Sequence, residues 1–164
     1  MNKALTLLAL HLCACAPHPP CVTKCGLQFQ GTPIDGEELP GWECSNIQRL
    51  EDQALAAYTR RVSPHDSRFL HGCGRLQAWR VFTMKTPSWY DDWGRHVSGL
   101  SACYNKTISV GSLPPFQGSL MHELAHAIQG CWTLKAPDES KDEDQDHAGW
   151  HEIGVYDAID EVVK

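Results

Sequence analysis

Residues 119–130, with the sequence SLMHELAHAIQG, contain His122 and His126 four positions apart, with Glu123 directly after the first. Residues four apart on an α-helix lie on the same side, about 6 Å apart along the axis, so both imidazoles can reach one metal ion. Imidazole nitrogens are common ligands of zinc. Glu123, one step around the helix, can accept a proton from a water at the ion without being a ligand itself. The pattern therefore predicts a zinc site suited to hydrolysis.

A catalytic zinc site needs a third protein ligand and one open position. Candidates follow in the segment DQDHAGWHE, residues 144–152. His147 is the first candidate, because it stands where an acidic segment meets the last predicted helix, with an apolar tryptophan close behind it to pack that helix on the core. Glu152 is the second candidate, and His151 and Asp146 stay open as alternatives.

The elements that must position these side chains are a strand and a helix. The helix that carries the histidines is predicted over residues 116–129, with Gly130 as its C-terminal stop. Its apolar residues recur on one side, so the histidines lie on another. The preceding residues 102–111, ACYNKTISVG, end in alternating polar and apolar side chains, which predicts a half-buried strand.

The remaining segments complete an α+β pattern. Apolar spacing predicts a helix over residues 46–61 and a closing C-terminal helix over residues 149–162. Aromatic and β-branched residues predict a strand within residues 76–86. Residues 63–74 are predicted as a loop, and residues 87–100 as a loop or a strand pair. We therefore expect a small mixed sheet, an active-site helix, a preceding N-terminal helix and a closing C-terminal helix.

The first residues are typical of a targeting segment. Residues 1–14 combine a short positive start with an apolar run too short to span a bilayer, which predicts a signal peptide. Residues 12–15, LCAC, resemble the lipobox of bacterial lipoproteins. The resemblance implies that Cys15 carries a lipid anchor in the cell envelope and, since no aspartate follows it, that the anchor is in the outer membrane. Secretion after cleavage near Ala14 or Ala16 is the alternative.

Length and charge limit the rest of the interpretation. A chain of 164 residues suits one domain. Residues 15–43, rich in Pro and Gly, are predicted as a lipid-anchored tether with a disulfide-pinned lead-in, and residues 44–164 as the domain itself. The formal charge of −6 is unfavourable for a nucleic-acid partner, which requires a basic face. We expect a monomer.

The cysteines indicate an exported chain. Of the 8 cysteines, Cys13 would leave with the signal peptide and Cys15 would carry lipid. An even set of this density in an exported chain predicts up to three disulfides, whose pairing the sequence does not decide. A four-cysteine zinc site is the less favoured alternative. The remaining cysteines are Cys21, Cys25, Cys44, Cys73, Cys103 and Cys131.

The order of these motifs is similar to that of a known enzyme group. A strand, a helix with HELAH and a later DHAGW before a closing helix resemble a minimal zincin metallopeptidase over residues 103–164. HELAH…DHAGW is similar to the SprT-like pattern HExxH…HGxxW, although HAGW departs from its spacing. The resemblance implies zinc at His122, His126 and His147, Glu123 as general base, and a peptide or protein substrate. It also implies that residues 107–110 form the sheet edge on which an extended peptide lies.

The sequence thus predicts an exported zinc metallopeptidase with a zincin-like fold. Two alternatives are a non-catalytic zinc- or peptide-binding envelope lipoprotein and a disulfide-rich structural lipoprotein whose motif is accidental. Glu123 distinguishes the enzyme from a binding protein, because hydrolysis needs the glutamate and metal binding needs only the histidines.

Overall fold

The structure, a computed structural model, describes residues 21–30, 43–92, 94–112, 116–130, 147 and 149–164. The predicted signal peptide, Cys15, Cys131 and Asp146 lie outside these residues. Among the helices in the described ranges, none combines the length and the apolar character that a membrane span requires.

A mixed sheet forms the centre of the fold. Among the described residues, five strands make this sheet in the spatial order first, second, third, seventh, sixth along the chain. The fourth and fifth strands form a separate antiparallel pair. The third strand is parallel to both of its neighbours, and the outermost pairs are antiparallel. The strands within the described residues are β1 (Cys21–Val22), β2 (Gln28–Phe29), β3 (Arg80–Met84), β4 (Trp89–Tyr90), β5 (His96–Val97), β6 (Gly99–Ala102) and β7 (Thr107–Gly111).

The helices bury the apolar side chains that the sheet presents to them. The helix with the two histidines lies on β6 and β7, and the long first helix and the last helix pack against each other and against it. The fold is α+β with a small mixed sheet, as predicted. In the described ranges the helices are α1 (Cys44–Arg61), α2 (Ser67–Leu70), α3 (Gly72–Leu76), α4 (Phe116–Gln129), α5 (Trp150–Ile153) and α6 (Val155–Val163).

The position of β7 corrects one prediction. Residues 107–110 were expected at the edge of the sheet, but β7 pairs with β3 on one side and with β6 on the other. Its alternation of Ile108 and Val110 with polar residues reports which face is buried, and this pattern does not distinguish an inner strand from an edge strand. In the described part of the chain, β6 is the sheet edge next to α4.

The predicted loop over residues 63–74 is also wrong, since it contains α2 and the first three residues of α3. The Asp66 side chain caps α2 by accepting a hydrogen bond from the Arg68 backbone N–H at 3.0 Å, and Phe69 is fully buried. Helices of four and five residues are too short to show a helical repeat in their sequence. Tertiary packing rather than local periodicity therefore explains them.

The closing helix is broken once. Residues 149–162 were predicted as one helix, but Gly154 takes a φ of +81° and separates α5 from α6. Glycine adopts this left-handed backbone without the steric cost that a Cβ brings. The predicted helices 46–61 and 116–129 are confirmed, with the first beginning two residues earlier at Cys44.

Two disulfides attach the first described segment to the helices. Cys21 is bonded to Cys44 and Cys25 to Cys73, at sequence separations of 23 and 48, and Cys103 is disulfide-bonded as well. Residues 21–30, which we predicted as a disulfide-pinned lead-in, thus contribute β1 and β2 to the sheet itself. Such bonds are typical of a chain that folds in an oxidising compartment.

Replacement of Cys25 and Cys73 together by alanine should lower the free energy of unfolding by about 4 kcal/mol, because the bond closes a long loop of the unfolded chain. Urea denaturation with and without reductant measures the effect. Reductant should then weaken the double variant less than it weakens the wild-type chain. A wild-type midpoint in the double variant would contradict a stabilising role for this disulfide.

Candidate metal centre and cleft

The helix α4 is fixed close to both ends of its histidine motif. Just before the first histidine, the buried Tyr58 hydroxyl of α1 donates to the Met121 carbonyl oxygen at 2.5 Å. At the C-terminal end, Arg68 Nη1 donates to the Gln129 carbonyl oxygen at 3.1 Å. Gly130, with a φ of +90°, then ends the helix as predicted. The histidines are therefore carried on a helix that packs firmly against the rest of the fold.

Three histidines meet at one point beside α4. The Nε2 atoms of His122 and His126 are 3.3 Å apart, and the Nε2 atom of His147 lies 2.8 Å from the first and 3.0 Å from the second. All three side chains are half-buried, and together they form a group that could hold a metal ion. The residue predicted as the third ligand is thus beside the first two.

Hydrogen bonds among the three rings cannot satisfy all three contacts. A neutral imidazole has one N–H and one acceptor nitrogen, so a good contact between two Nε2 atoms needs a proton on one of them only. Each Nε2 atom either carries a proton or has a free lone pair. At least two of the three must therefore be in the same state, and those two repel each other. One cation between them would remove this conflict. Tetrahedral zinc with bonds of about 2.0–2.1 Å places its ligand nitrogens roughly 3.3 Å apart, which equals the separation on α4, and the two separations to His147 are shorter, at 2.8 and 3.0 Å.

Trp150 supports the cluster from one side. This fully buried residue opens α5, and its ring centroid lies 4.6 to 4.9 Å from the ring centroids of all three histidines. Its indole N–H donates to Gln129 Oε1 at 2.8 Å, which ties α5 to the end of α4. The bulky ring and this bond fix where the chain next to His147 runs relative to the other two histidines.

The surroundings of His126 favour its neutral form. Burial, together with the neighbouring His122 and His147, lowers the pKa of His126 to about 3. A histidine with a lowered pKa stays neutral at physiological pH and keeps a lone pair on one ring nitrogen. A neutral imidazole is the form that binds a metal ion.

Glu123 is buried on the side of α4 that faces β6. Ser101 Oγ donates to its Oε2 atom at 2.7 Å and also lies 3.1 Å from its main-chain carbonyl oxygen. Burial raises the pKa of Glu123 to about 7, although the Ser101 hydrogen bond and the positive charge of Arg95 both lower it. The carboxylate therefore takes up a proton more readily than an exposed glutamate does.

Gly99 leaves the space that the Glu123 carboxylate occupies. A Cβ atom at position 99 would lie 2.6 Å from Glu123 Oε1, closer than non-bonded atoms approach. Gly99 and Ser101 are two positions apart on β6 and so point to the same face of the sheet. Both residues on this face of β6 therefore lie against the Glu123 carboxylate.

A cleft of about 320 Å³ opens beside Glu123 and His122. One wall is formed by residues 96–99, which include the end of the β4–β5 pair and the start of β6, and the other by the first turns of α4 through Gly118 and Ser119. Ser98 Oγ and Ser119 Oγ lie 3.0 Å apart between the two walls. The cleft is therefore lined by small and polar side chains, and it reaches the candidate site from the side of β6.

The structure also shows where the other candidate ligands lie. His151 and Glu152 are exposed on α5. The ring centroids of His151 and Tyr156 lie 4.5 Å apart, so His151 packs against Tyr156 and is not part of the histidine cluster. Within the described residues, the three histidines are the group with metal-binding geometry.

Sequence reasoning missed Gly99, Ser101 and the cleft residue His96. No motif marks these residues, because their relation to Glu123 arises only when β6 pairs with β7 beneath α4. A serine and a glycine at alternate positions of a short strand are a weak signal that many surface strands share.

A comparison of the chain with known protein families, with characterised proteins and with solved structures finds no match. The functional assignment therefore depends on the geometry and chemistry of the site itself.

Proposed function

We propose that this chain is, first, a protein with a single metal centre and a catalytic acid–base group beside it. More particularly, we propose an exported, zincin-type zinc metallopeptidase that hydrolyses peptide bonds. The observation that carries this proposal is the convergence of three Nε2 atoms within 2.8 to 3.3 Å of one another, next to the buried Glu123 and a cleft.

The donor set favours zinc. Three imidazoles with a fourth position left for water or substrate are typical of catalytic zinc, whereas calcium and magnesium prefer oxygen ligands. His122, His126 and His147 would hold the ion through their Nε2 atoms. When bound, zinc supplies Lewis acidity, which makes water a stronger acid and polarises a carbonyl group.

Glu123 would move the proton. Its Oε2 atom is engaged by Ser101, so Oε1 is the atom that takes a proton from the attacking water. The same oxygen then returns the proton to the nitrogen of the leaving amine, which cannot depart as an anion. Glu123 is buried and lines the cleft, so its carboxylate is shielded on most sides and can be reached from the cleft.

The substrate would lie along β6. An extended peptide can add to an exposed sheet edge through main-chain hydrogen bonds, with its side chains in pockets on either side. In the described part of the chain, β6 is the edge strand next to α4 and continues directly from the cleft wall. The peptide would thus lie along residues 99–102 and not along residues 107–110, which the resemblance implied.

Export and anchoring complete the proposal. The disulfides support a location in an oxidising compartment outside the cytoplasm. We propose a lipid anchor on Cys15 in the bacterial outer membrane, a monomeric chain, and a peptide or protein substrate without a nucleic-acid partner.

Metal analysis of the purified chain tests this function. We expect one zinc per chain and cleavage of unfolded casein that stops when a chelator removes the metal and returns when zinc is added back. Cleavage should recover with zinc and not with magnesium. A chain that binds zinc without cutting casein would favour a binding protein, and a chain without zinc would favour an accidental motif.

A further inference from the structure

We propose that Ser101 is a positioning residue for Glu123, and that Gly99 is required beside it to admit the carboxylate. This inference rests on the proposed function, in which Glu123 is the general base. The strand β6 would then have two roles. Its edge binds an extended peptide, and one of its faces orients the Glu123 carboxylate.

The hydrogen bond from Ser101 removes freedom that Glu123 would otherwise have. A glutamate side chain turns about three bonds, and ordering such a chain costs free energy that a bound partner must offset. Ser101 Oγ reaches Oε2 at 2.7 Å and lies 3.1 Å from the carbonyl oxygen of the same residue. A contact at both ends of Glu123 fixes the whole side chain relative to α4.

Gly99 defines the other limit of this position. A Cβ at residue 99 would lie 2.6 Å from Oε1, 2.9 Å from Cγ and 3.1 Å from Cδ of Glu123. The carboxylate therefore fills the volume that any other residue would need. Ser101 holds one oxygen, and the flat backbone at Gly99 receives the other at the wall of the cleft.

The pairing of β6 makes this arrangement rigid. Gly99 is opposite Val110 and Ser101 is opposite Ile108, and both partners are fully buried beneath α4. A shift of β6 by one residue would direct Leu100 toward Glu123 and remove both features at once. The register of β6 against β7 thus sets the orientation of the base.

The first test measures cleavage. Ser101→Ala should lower kcat for unfolded casein by about tenfold or more, with KM and zinc affinity unchanged, since outer partners of a site affect activity by about 10- to 100-fold. Ser101→Thr, which keeps the hydroxyl, should recover most of the rate. Ser109→Ala, a matched change on the opposite face of the neighbouring β7, should leave kcat unchanged. A Ser101→Ala chain with wild-type kcat, or one whose zinc affinity falls in parallel with kcat, would overturn the positioning role.

The second test needs neither metal nor cleavage. A double-mutant cycle of Ser101→Ala and Glu123→Ala, each of which removes the contact, followed by urea unfolding of the metal-free chain, should show that the two changes are non-additive by about tenfold in the unfolding equilibrium constant. Additive changes would show that the contact does not hold Glu123 and would overturn the inference. A wild-type chain that never cleaves casein contradicts the proposed function instead, and the cycle still decides whether Ser101 and Glu123 are coupled.

Discussion

Replacement of Glu123 by glutamine should lower peptide hydrolysis about 1000-fold while zinc stays bound, because an amide cannot take the proton of the attacking water. Glutamine has nearly the same shape and keeps an oxygen that can accept the Ser101 hydroxyl, so the site should stay assembled. The measurement is cleavage of unfolded casein together with zinc content for the same preparation.

A matched control is Glu161→Gln on α6. Glu161 is exposed and accepts hydrogen bonds from Arg60 and Arg61 of α1, so this variant changes a glutamate that belongs to the surface between two helices. It should cleave casein at the wild-type rate. Glu123→Gln chains that retain the wild-type rate would remove Glu123 from the reaction and, with it, the proposed metallopeptidase mechanism.

Replacement of His147 by alanine should weaken zinc binding by more than about 100-fold, beyond the effect expected from a residue that only supports a ligand. Two imidazoles on α4 would remain, and the Nε2 contacts of 2.8 and 3.0 Å that close the cluster would be lost. Competition against a chelator of known affinity measures the change, and casein cleavage should disappear in parallel.

His151→Ala is the informative comparison for this result. His151 stands four residues further on, exposed and packed against Tyr156 at 4.5 Å, so its removal should leave zinc affinity unchanged. Loss of zinc from His151→Ala but not from His147→Ala would show that the third ligand has been assigned to the wrong residue.

Features that depend on local periodicity could be predicted from the sequence. The helix 116–129, its stop at Gly130 and the common side of His122 and His126 follow from spacing along one segment. The α+β class follows similarly. His147 could be put forward because it stands just before a tryptophan able to pack its helix, and Trp150 is indeed fully buried.

Features that depend on contacts between distant segments could not be predicted. The resemblance implied an edge position for residues 107–110, and their alternation could not correct it, because an inner strand and an edge strand share the same pattern; β6 is the strand at that edge. Ser101 and Gly99 meet Glu123 across a separation of more than twenty residues, and only the pairing of β6 with β7 brings them there. The helices α2 and α3, of four and five residues, span little more than one turn each, so no apolar repeat can appear in their sequence.

The positions of the two outer strands of the sheet also affect which substrates the protein can reach. In the part of the chain that the structure describes, β1 and β6 are the opposite outer strands of one five-stranded sheet. With neighbouring strands about 4.8 Å apart, the two edges are about 19 Å from each other. Anchoring through Cys15 would hold the β1 side toward the bilayer and direct the cleft outward. The reachable substrates would then be chains in the aqueous space of the envelope, not segments embedded in the membrane.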